Sequence, residues 1–328
     1  MRRRDFIKGI IGSATAWPLA ARAQQSATPV IGFLSSSSWD NDDARRLPPF
    51  RQGLNEAGYV EGQNVAIEYH GAENQLDRLP ALAADLVRRR VSLIATGGSP
   101  AAALAAKSAT TTIPIVFSNA SDPVRIGLVA SLSRPGANVT GATQSSSELG
   151  VKRLGLLREL VPSATSIAIL VNPKRPDADA QSAQLQQAAQ SLGLQFHVLN
   201  ASSEHDFGSA FQTVMQLGVS ALVVAPDALF ADQRDQIVAL AKRHSVPTIY
   251  ELRDFVVAGG LVSYGVASSD VARQAGILAG RILKGEKPAE LPVMQSVKFE
   301  FVLNLKTAKA LSLDVSPATL ALTDEVID

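Results

Sequence analysis

The chain has 328 residues, 46% of them hydrophobic, enough for about two domains with sizeable cores and too many for a disordered chain. Five of the 31 basic residues (Arg2, Arg3, Arg4, Lys8, Arg22) lie in the first 23 positions beside one acid, Asp5; the remaining 26 bases and 29 acids give a net charge of −3, so no basic domain is left for nucleic acid or an anionic membrane. There is no cysteine, which excludes disulfides, thiolate metal ligands and cysteine nucleophiles, and the expectation is therefore also that no lipid anchor is attached.

Residues 1–23 read as an export signal. Arg3-Arg4-Asp5-Phe6-Ile7-Lys8 places twin arginines before an apolar pair and a lysine. A mildly apolar stretch follows over 9–20, too short for a bilayer of about 30 Å, and Ala21-Arg22-Ala23 offers small residues to a signal peptidase. The pattern is similar to a twin-arginine (Tat) signal, with the Sec route as the alternative, and it predicts a periplasmic protein beginning near Gln24.

From there short β-branched runs alternate with longer amphipathic runs, the pattern of parallel strands joined by crossover helices. Strands are predicted at 30–34, 65–69, 92–96 and 113–117, with helices at 47–57, 79–89 and 101–108. The order then repeats: strands at 166–171, 195–199, 221–225, 246–250 and 260–264, and helices at 179–192, 207–217 and 231–244. Glu56-Ala57-Gly58 corresponds to Ser191-Leu192-Gly193, and Ile113-Pro114-Ile115-Val116 to Val246-Pro247-Thr248-Ile249. The expected fold is α/β, two doubly wound parallel-sheet lobes joined by a hinge: an N-terminal lobe over 28–143, a C-terminal lobe over 144–265, and a segment over 266–328 that returns across the hinge, completes the first lobe with part of 266–311, and ends in a tail. In such sheets ligands bind beyond the carboxyl ends of the strands, which places the site between the lobes.

The candidate site residues follow from that rule. Thr96-Gly97-Gly98-Ser99-Pro100 leaves a strand and opens a helix, with Ser99 as N-cap and Pro100 at the first helical position; it is either a carboxylate site or an ordinary capped helix. Ser37 and Trp39 belong to a serine-rich loop after the first strand, which offers hydroxyls and a stacking face or is simply flexible. Asn119, Asp122, Asn172, Asp227, Tyr250 and Glu251 follow other strands, and the three acids are candidates to meet a ligand ammonium or to cap helices. Tyr264 is placed to pack on a ligand or to brace the hinge. The four histidines (His70, His197, His205, His244) lack metal-ligand spacing, and no Gly-x-Ser-x-Gly elbow occurs, so neither metal, cofactor nor enzymatic activity is expected.

Several segments together resemble a known family. These are Gly53-Leu54, Gly58-Tyr59-Val60-Glu61-Gly62-Gln63-Asn64, Thr96-Gly97-Gly98, Pro114-Ile115-Val116-Phe117, Asp122-Pro123-Val124, Gly127-Leu128-Val129, Arg134-Pro135-Gly136-Ala137-Asn138-Val139-Thr140-Gly141 and Gly259-Gly260-Leu261-Val262-Ser263-Tyr264-Gly265. Over nearly the whole mature chain they resemble ABC-transporter substrate-binding proteins of the tryptophan/tyrosine-binding type. The resemblance implies a type I periplasmic-binding fold, a monomer that closes on an amino acid, aromatic or other, and delivery to a cognate permease and ATPase. It carries Ser37, Thr96, Gly97, Ser99, Asp122, Asp227, Tyr250 and Tyr264 into the site. The alternatives are a sensing receptor uncoupled from transport and a binder of aromatic acids or other small carboxylates. A repressor of the same fold would need a DNA-binding module where the export signal lies, and an exported hydrolase would show turnover of esters or amides.

Overall fold

The computed structural model describes residues 28–38, 46–119, 121–144, 148–296 and 298–328; the segment 1–23, read above as an export signal, and Trp39 lie outside them. Thirteen strands form among these residues. The first five are β1 (Val30–Ser35), β2 (Ala66–Gly71), β3 (Leu93–Gly97), β4 (Ile115–Asn119) and β5 (Val139–Thr143). The next five are β6 (Ser166–Val171), β7 (Gln195–Asn200), β8 (Ala221–Val224), β9 (Thr248–Tyr250) and β10 (Val262–Val266). The last three are β11 (Met294–Gln295), β12 (Phe299–Asn304) and β13 (Glu325–Ile327). They make a six-stranded sheet ordered β11-β5-β4-β3-β1-β2 and a seven-stranded sheet ordered β13-β12-β10-β9-β8-β6-β7. Every pairing is parallel except β10 with β12.

Side-chain alternation sends each strand's residues into two cores, one on each face of its sheet. Ile167, Ile169 and Val171 join one core of the second lobe, with Ala221 and Val223. Ala168, Leu170, Leu222 and Val224 join the other. In the first lobe Leu34, Ile94, Ile115 and Phe117 face one way, and Ile31, Phe33, Leu93 and Val116 the other. This two-sided burial is why the strands read as continuous apolar runs.

The chain passes between the lobes three times: after β5, after β10, and between β11 and β12. The helix Glu148–Leu160 follows the first crossing and contributes Leu154, Leu156, Leu157 and Leu160 to the second lobe. The helix Ser268–Leu283 follows the second crossing and returns to the first lobe, where Ala275, Leu278, Ala279 and Ile282 enter a core with Phe50 and Leu54. β12 then carries the chain back, and the tail up to β13 stays with the second lobe.

The sequence did not disclose β5, the Glu148–Leu160 helix or β12. β5 contains Thr-Gly-Ala-Thr after Val139 and lacks a β-branched apolar run. The single helix expected over 231–244 is two, Ala228–Asp232 and Arg234–Arg243, because Asp227 caps the earlier start by accepting the Leu229 N–H at 2.9 Å.

Two glycines let the return helix meet Leu47–Glu56 backbone to backbone. A Cβ on Gly276 would lie 2.1 Å from the Phe50 carbonyl oxygen, and one on Gly53 would lie 1.9 Å from that of Arg273. Backbone cannot yield as a side chain can, so Gly276→Ala is expected to cost about 1–3 kcal/mol, the usual range for overpacking. Thermal unfolding would show it as a Tm several degrees lower; an unchanged Tm would mean that the helices do not approach this closely.

Candidate ligand-binding site

The carboxyl ends of β1, β3, β4 and β5 confront those of β6, β8 and β9 across the gap between the lobes, and two adjoining chambers lie there. The first is polar, about 530 Å³ including its opening to solvent. Arg46, Gly98, Ser118 and Asn119 line it from one lobe, Arg175 and Asp227 from the other, and Ser268 at the start of the return helix closes it. The second measures about 790 Å³ on the same basis; Ile126, Leu149, Ile169, Leu185 and Val223 form the aliphatic part of its wall, for which it is called the apolar chamber, and Asp122, Arg125, Arg153 and Asp177 the charged part. Gln144, Pro226 and Glu251 border both chambers.

The polar chamber carries both signs of charge. Arg46 reaches it from the first lobe, donating from Nη1 to Ser37 Oγ at 3.2 Å. Asn119 is 6% exposed; its Oδ1 accepts the Ser121 N–H at 3.0 Å, and its Nδ2 has no partner among the described residues. Buried donors are normally bonded, so this amide is a candidate to meet a ligand. The return helix begins at the same wall, with Ala267 as N-cap and no capping side chain, and its dipole adds positive potential. Against these stand Glu251, whose carboxylate accepts from Gln144 Nε2, and Asp227. Burial pushes the Asp227 carboxyl pKa above the usual range, over the opposing pull of Arg175 and the bonds from Asn172 and the Leu229 amide.

A third group of charges joins the lobes. Arg175 and Asp177 of the second lobe form a buried bidentate pair, Nε to Oδ1 at 2.9 Å and Nη2 to Oδ2 at 2.8 Å. Both grip Ser121 of the first lobe: its Oγ donates to Asp177 Oδ2 at 2.5 Å and accepts from Arg175 Nη2 at 3.0 Å. Burial alone would raise the Asp177 pKa, but Arg175, together with bonds from Ser121 and Gln181, holds it below the usual carboxylate range. A second polar contact across the gap runs from Asn74 Nδ2 to Asp232 Oδ2 at 3.1 Å.

The structure divides the residues nominated from sequence. Gly98, Asn119, Asp227 and Glu251 line the polar chamber, and Asp122 and Glu251 border the apolar one. The Asp122 carboxylate also accepts the Val124 and Arg125 N–H groups, at 2.9 and 3.1 Å. Asn172 donates to the Asp227 carboxylate, at 3.3 Å to each oxygen. Ser99 is a helix cap: its Oγ accepts the Ala101 N–H at 3.2 Å, and its own N–H donates to Ser36 Oγ at 2.7 Å. Thr96, Gly97 and Ser99 lie beneath the chamber wall rather than in it. Gly98 at φ +81° carries the wall past the serines, where a Cβ would sit 2.3 Å from Ser36 Oγ. The serine run itself is buried framework, with Ser37 holding Arg46.

The two tyrosines do not cover the chambers. Tyr250 is fully buried in the second lobe, stacked on Phe255 with ring centroids 4.6 Å apart. Tyr264 braces the crossing strands, its ring 5.9 Å from Phe299 and 6.1 Å from Phe301 between centroids. Sequence reasoning passed over Arg46, Gln144, Arg153, Arg175 and Asp177. The one available signal was Asn172-Pro173-Lys174-Arg175-Pro176-Asp177, a charged loop at a strand's carboxyl end.

Comparison with known proteins agrees with this geometry. Residues 30–327 match the family described as ABC transporter substrate binding protein. The chain belongs to that family. It is 28% identical over 265 residues to a tyrosine-binding protein of Clostridioides difficile (strain R20291), a match covering 80% of this chain and 75% of the other. An ABC domain from Streptococcus pneumonia, solved in complex with L-Trp, superposes with a TM-score of 0.83 at 26% identity, covering 92% of this chain and 100% of that one. A ligand-free, open substrate-binding protein with adhesive properties from Clostridium difficile gives 0.64 at the same 26% identity, covering 91% and 99%. The lobes here are thus disposed more as in the complex than as in the open form. More distant substrate-binding proteins, at 14% identity, share the type I periplasmic-binding fold.

Ser121 of the first lobe is bonded to Arg175 and Asp177 of the second, so parting the lobes would have to break these bonds, and its hydroxyl is expected to slow ligand release in this substrate-binding protein. Hydrogen bonds to charged groups are worth about 1.5–3 kcal/mol, so Ser121→Ala should raise the dissociation rate about tenfold or more and leave association nearly unchanged. Stopped-flow fluorescence reads both rates. An unaltered dissociation rate would remove the latch from the account.

Proposed function

We propose that the protein is the exported, periplasmic substrate-binding component of an ABC importer, and that it captures an amino acid with a large apolar, most simply aromatic, side chain. The carrying observation is the pairing of chambers: one walled by Arg46, Asn119, Asp227 and Glu251 beside one whose wall carries the aliphatic cluster Leu149, Ile169, Leu185 and Val223, with Gln144, Pro226 and Glu251 between them. A zwitterion fits the first. Its carboxylate would meet Arg46, Asn119 Nδ2 and the Ser268 end of the return helix; its ammonium would meet Glu251, with Asp227 alongside. The side chain would lie against Leu149, Ile169, Leu185 and Val223. The tyrosine and tryptophan in the names of the two relatives support the same class.

Closure follows from the same contacts. A ligand held by both lobes favours the shut arrangement by its differential affinity for it, and a permease with its ATPase can read that arrangement as a loaded carrier. No helix of the described residues is long and apolar enough to cross a membrane, which fits a carrier that moves freely after export along the route its N-terminal signal specifies. The cleft is assigned recognition and no chemistry.

Thermal shift and calorimetry test the ligand class. L-tryptophan, L-tyrosine or L-phenylalanine at a hundredfold excess over Kd should stabilise the protein by about 2.7 kcal/mol. Aromatic acids lacking the ammonium, such as phenylacetate, should bind more weakly. Arg46→Gln should weaken the amino acid about ten- to a hundredfold, at 1.4 kcal/mol per tenfold. Equal binding of phenylacetate would replace the amino-acid reading with that of an aromatic acid carrier, and no response to any of these compounds would refute both.

A further inference from the structure

Among the described residues two arginines are buried at the interface, and only one is paired with a carboxylate. Arg175 is 4% exposed and bound bidentately by Asp177. Arg153, on the helix that follows the first crossing, is 3% exposed, and its one hydrogen bond among the described residues runs from Nε to the Tyr264 carbonyl at 2.7 Å. No carboxylate of the described residues stands within ion-pair distance of it, and its side chain lines the apolar chamber. The acids around that chamber are already engaged. Asp177 holds Arg175 and Ser121, Asp122 holds the Val124 and Arg125 amides, and Glu251 accepts from Gln144. Burial pulls the Arg153 pKa down, and Glu251 and Tyr264 offset this only from a distance. A buried charge without a partner is costly, and a guanidinium left with its fork open to a cavity is built to take a planar oxygen group.

Resting on the amino-acid reading above, we propose that Arg153 determines specificity at the far end of the ligand: the side chain lodged in the apolar chamber ends in an oxygen acceptor, a phenolic hydroxyl or a carboxylate, which Arg153 binds. The ligand class then narrows from apolar amino acids to those with an apolar, ring-sized body and a distal oxygen. The fixed Nε bond to Tyr264 orients the guanidinium, so the two Nη nitrogens are the recognising atoms. Arg175 is unsuited to this role because Asp177 and Ser121 already hold it.

Calorimetry with L-phenylalanine, L-tyrosine and 4-carboxy-L-phenylalanine tests the assignment, because the three differ only at the distal position. The wild type should bind them with rising affinity in that order, about tenfold tighter for the carboxylate than for the bare ring. Arg153→Met, of similar length and apolar, should bring all three within about twofold of one another while L-phenylalanine keeps its affinity. Arg153→Lys should restore part of the preference for the carboxylate. A wild type that prefers L-phenylalanine overturns the proposal. So does Arg153→Met if it weakens all three equally, since the residue would then bind the α-carboxylate or merely brace the hinge. If Arg153→Met does not fold, the wild-type order and Arg153→Lys decide between the same outcomes. Binding of none of the three to the wild type overturns the amino-acid reading itself, and this inference with it.

Discussion

The grip of Arg175 and Asp177 on Ser121 is the contact on which the shut arrangement turns. It buries a full ion pair where two lobes meet, and a buried pair is tolerated only when its remaining hydrogen-bonding capacity is met. Asp177 meets it with Arg175, Ser121 and Gln181; Arg175 directs Nε and Nη2 to Asp177 and Ser121 and borders the polar chamber. Of these partners only Ser121 comes from the other lobe, and it leaves when the lobes part. Opening therefore gives up the two bonds of Ser121 but leaves the ion pair itself intact and able to rehydrate. That is a modest coupling, suited to a carrier that must both hold and release.

The three crossings make such a contact repeatable. A single linker would let the lobes swivel, whereas segments after β5, after β10 and between β11 and β12 tie them at three places, as the proposed closure requires. The return helix, locked to Leu47–Glu56 through Gly53 and Gly276, keeps its Ser268 end at the polar chamber. Arg153 and Tyr264 tie two of the crossings to each other by the Nε bond. The site is thus assembled from hinge, first lobe and second lobe together.

Most of the scaffold was legible in the sequence. Buried parallel strands announce themselves as apolar runs, and the repeated Gly58 and Gly193 helix stops gave away the duplication. The carboxyl-end rule nominated Gly98, Asn119, Asp227 and Glu251, and all four line the chamber between the lobes. It misplaced Tyr250 because it ignores parity: in β9 Ile249 faces one core and Tyr250 the other, so the last residue of the strand points into the lobe. It misjudged Ser99 because a cap hydroxyl already has a donor to satisfy. Arg46, Arg153 and Arg175 carried no motif, since what defines them is a set of contacts far apart along the chain: Arg153 meets residue 264, and Arg175 meets residue 121. β12 was placed only within a returning segment because its pairing with β10 closes after the chain has visited the other lobe, and β13 is only three residues long.

Lobe closure on a ligand is the central claim, and a distance across the gap measures it directly. The chain has no native cysteine, so Arg88→Cys on the first lobe and Met215→Cys on the second give one exposed spin label each. Pulsed electron resonance without ligand should show a broad or long distance distribution, which shortens and narrows when a saturating aromatic amino acid is added. Saturation of the site, verified by calorimetry, with no change in that distribution would contradict the account.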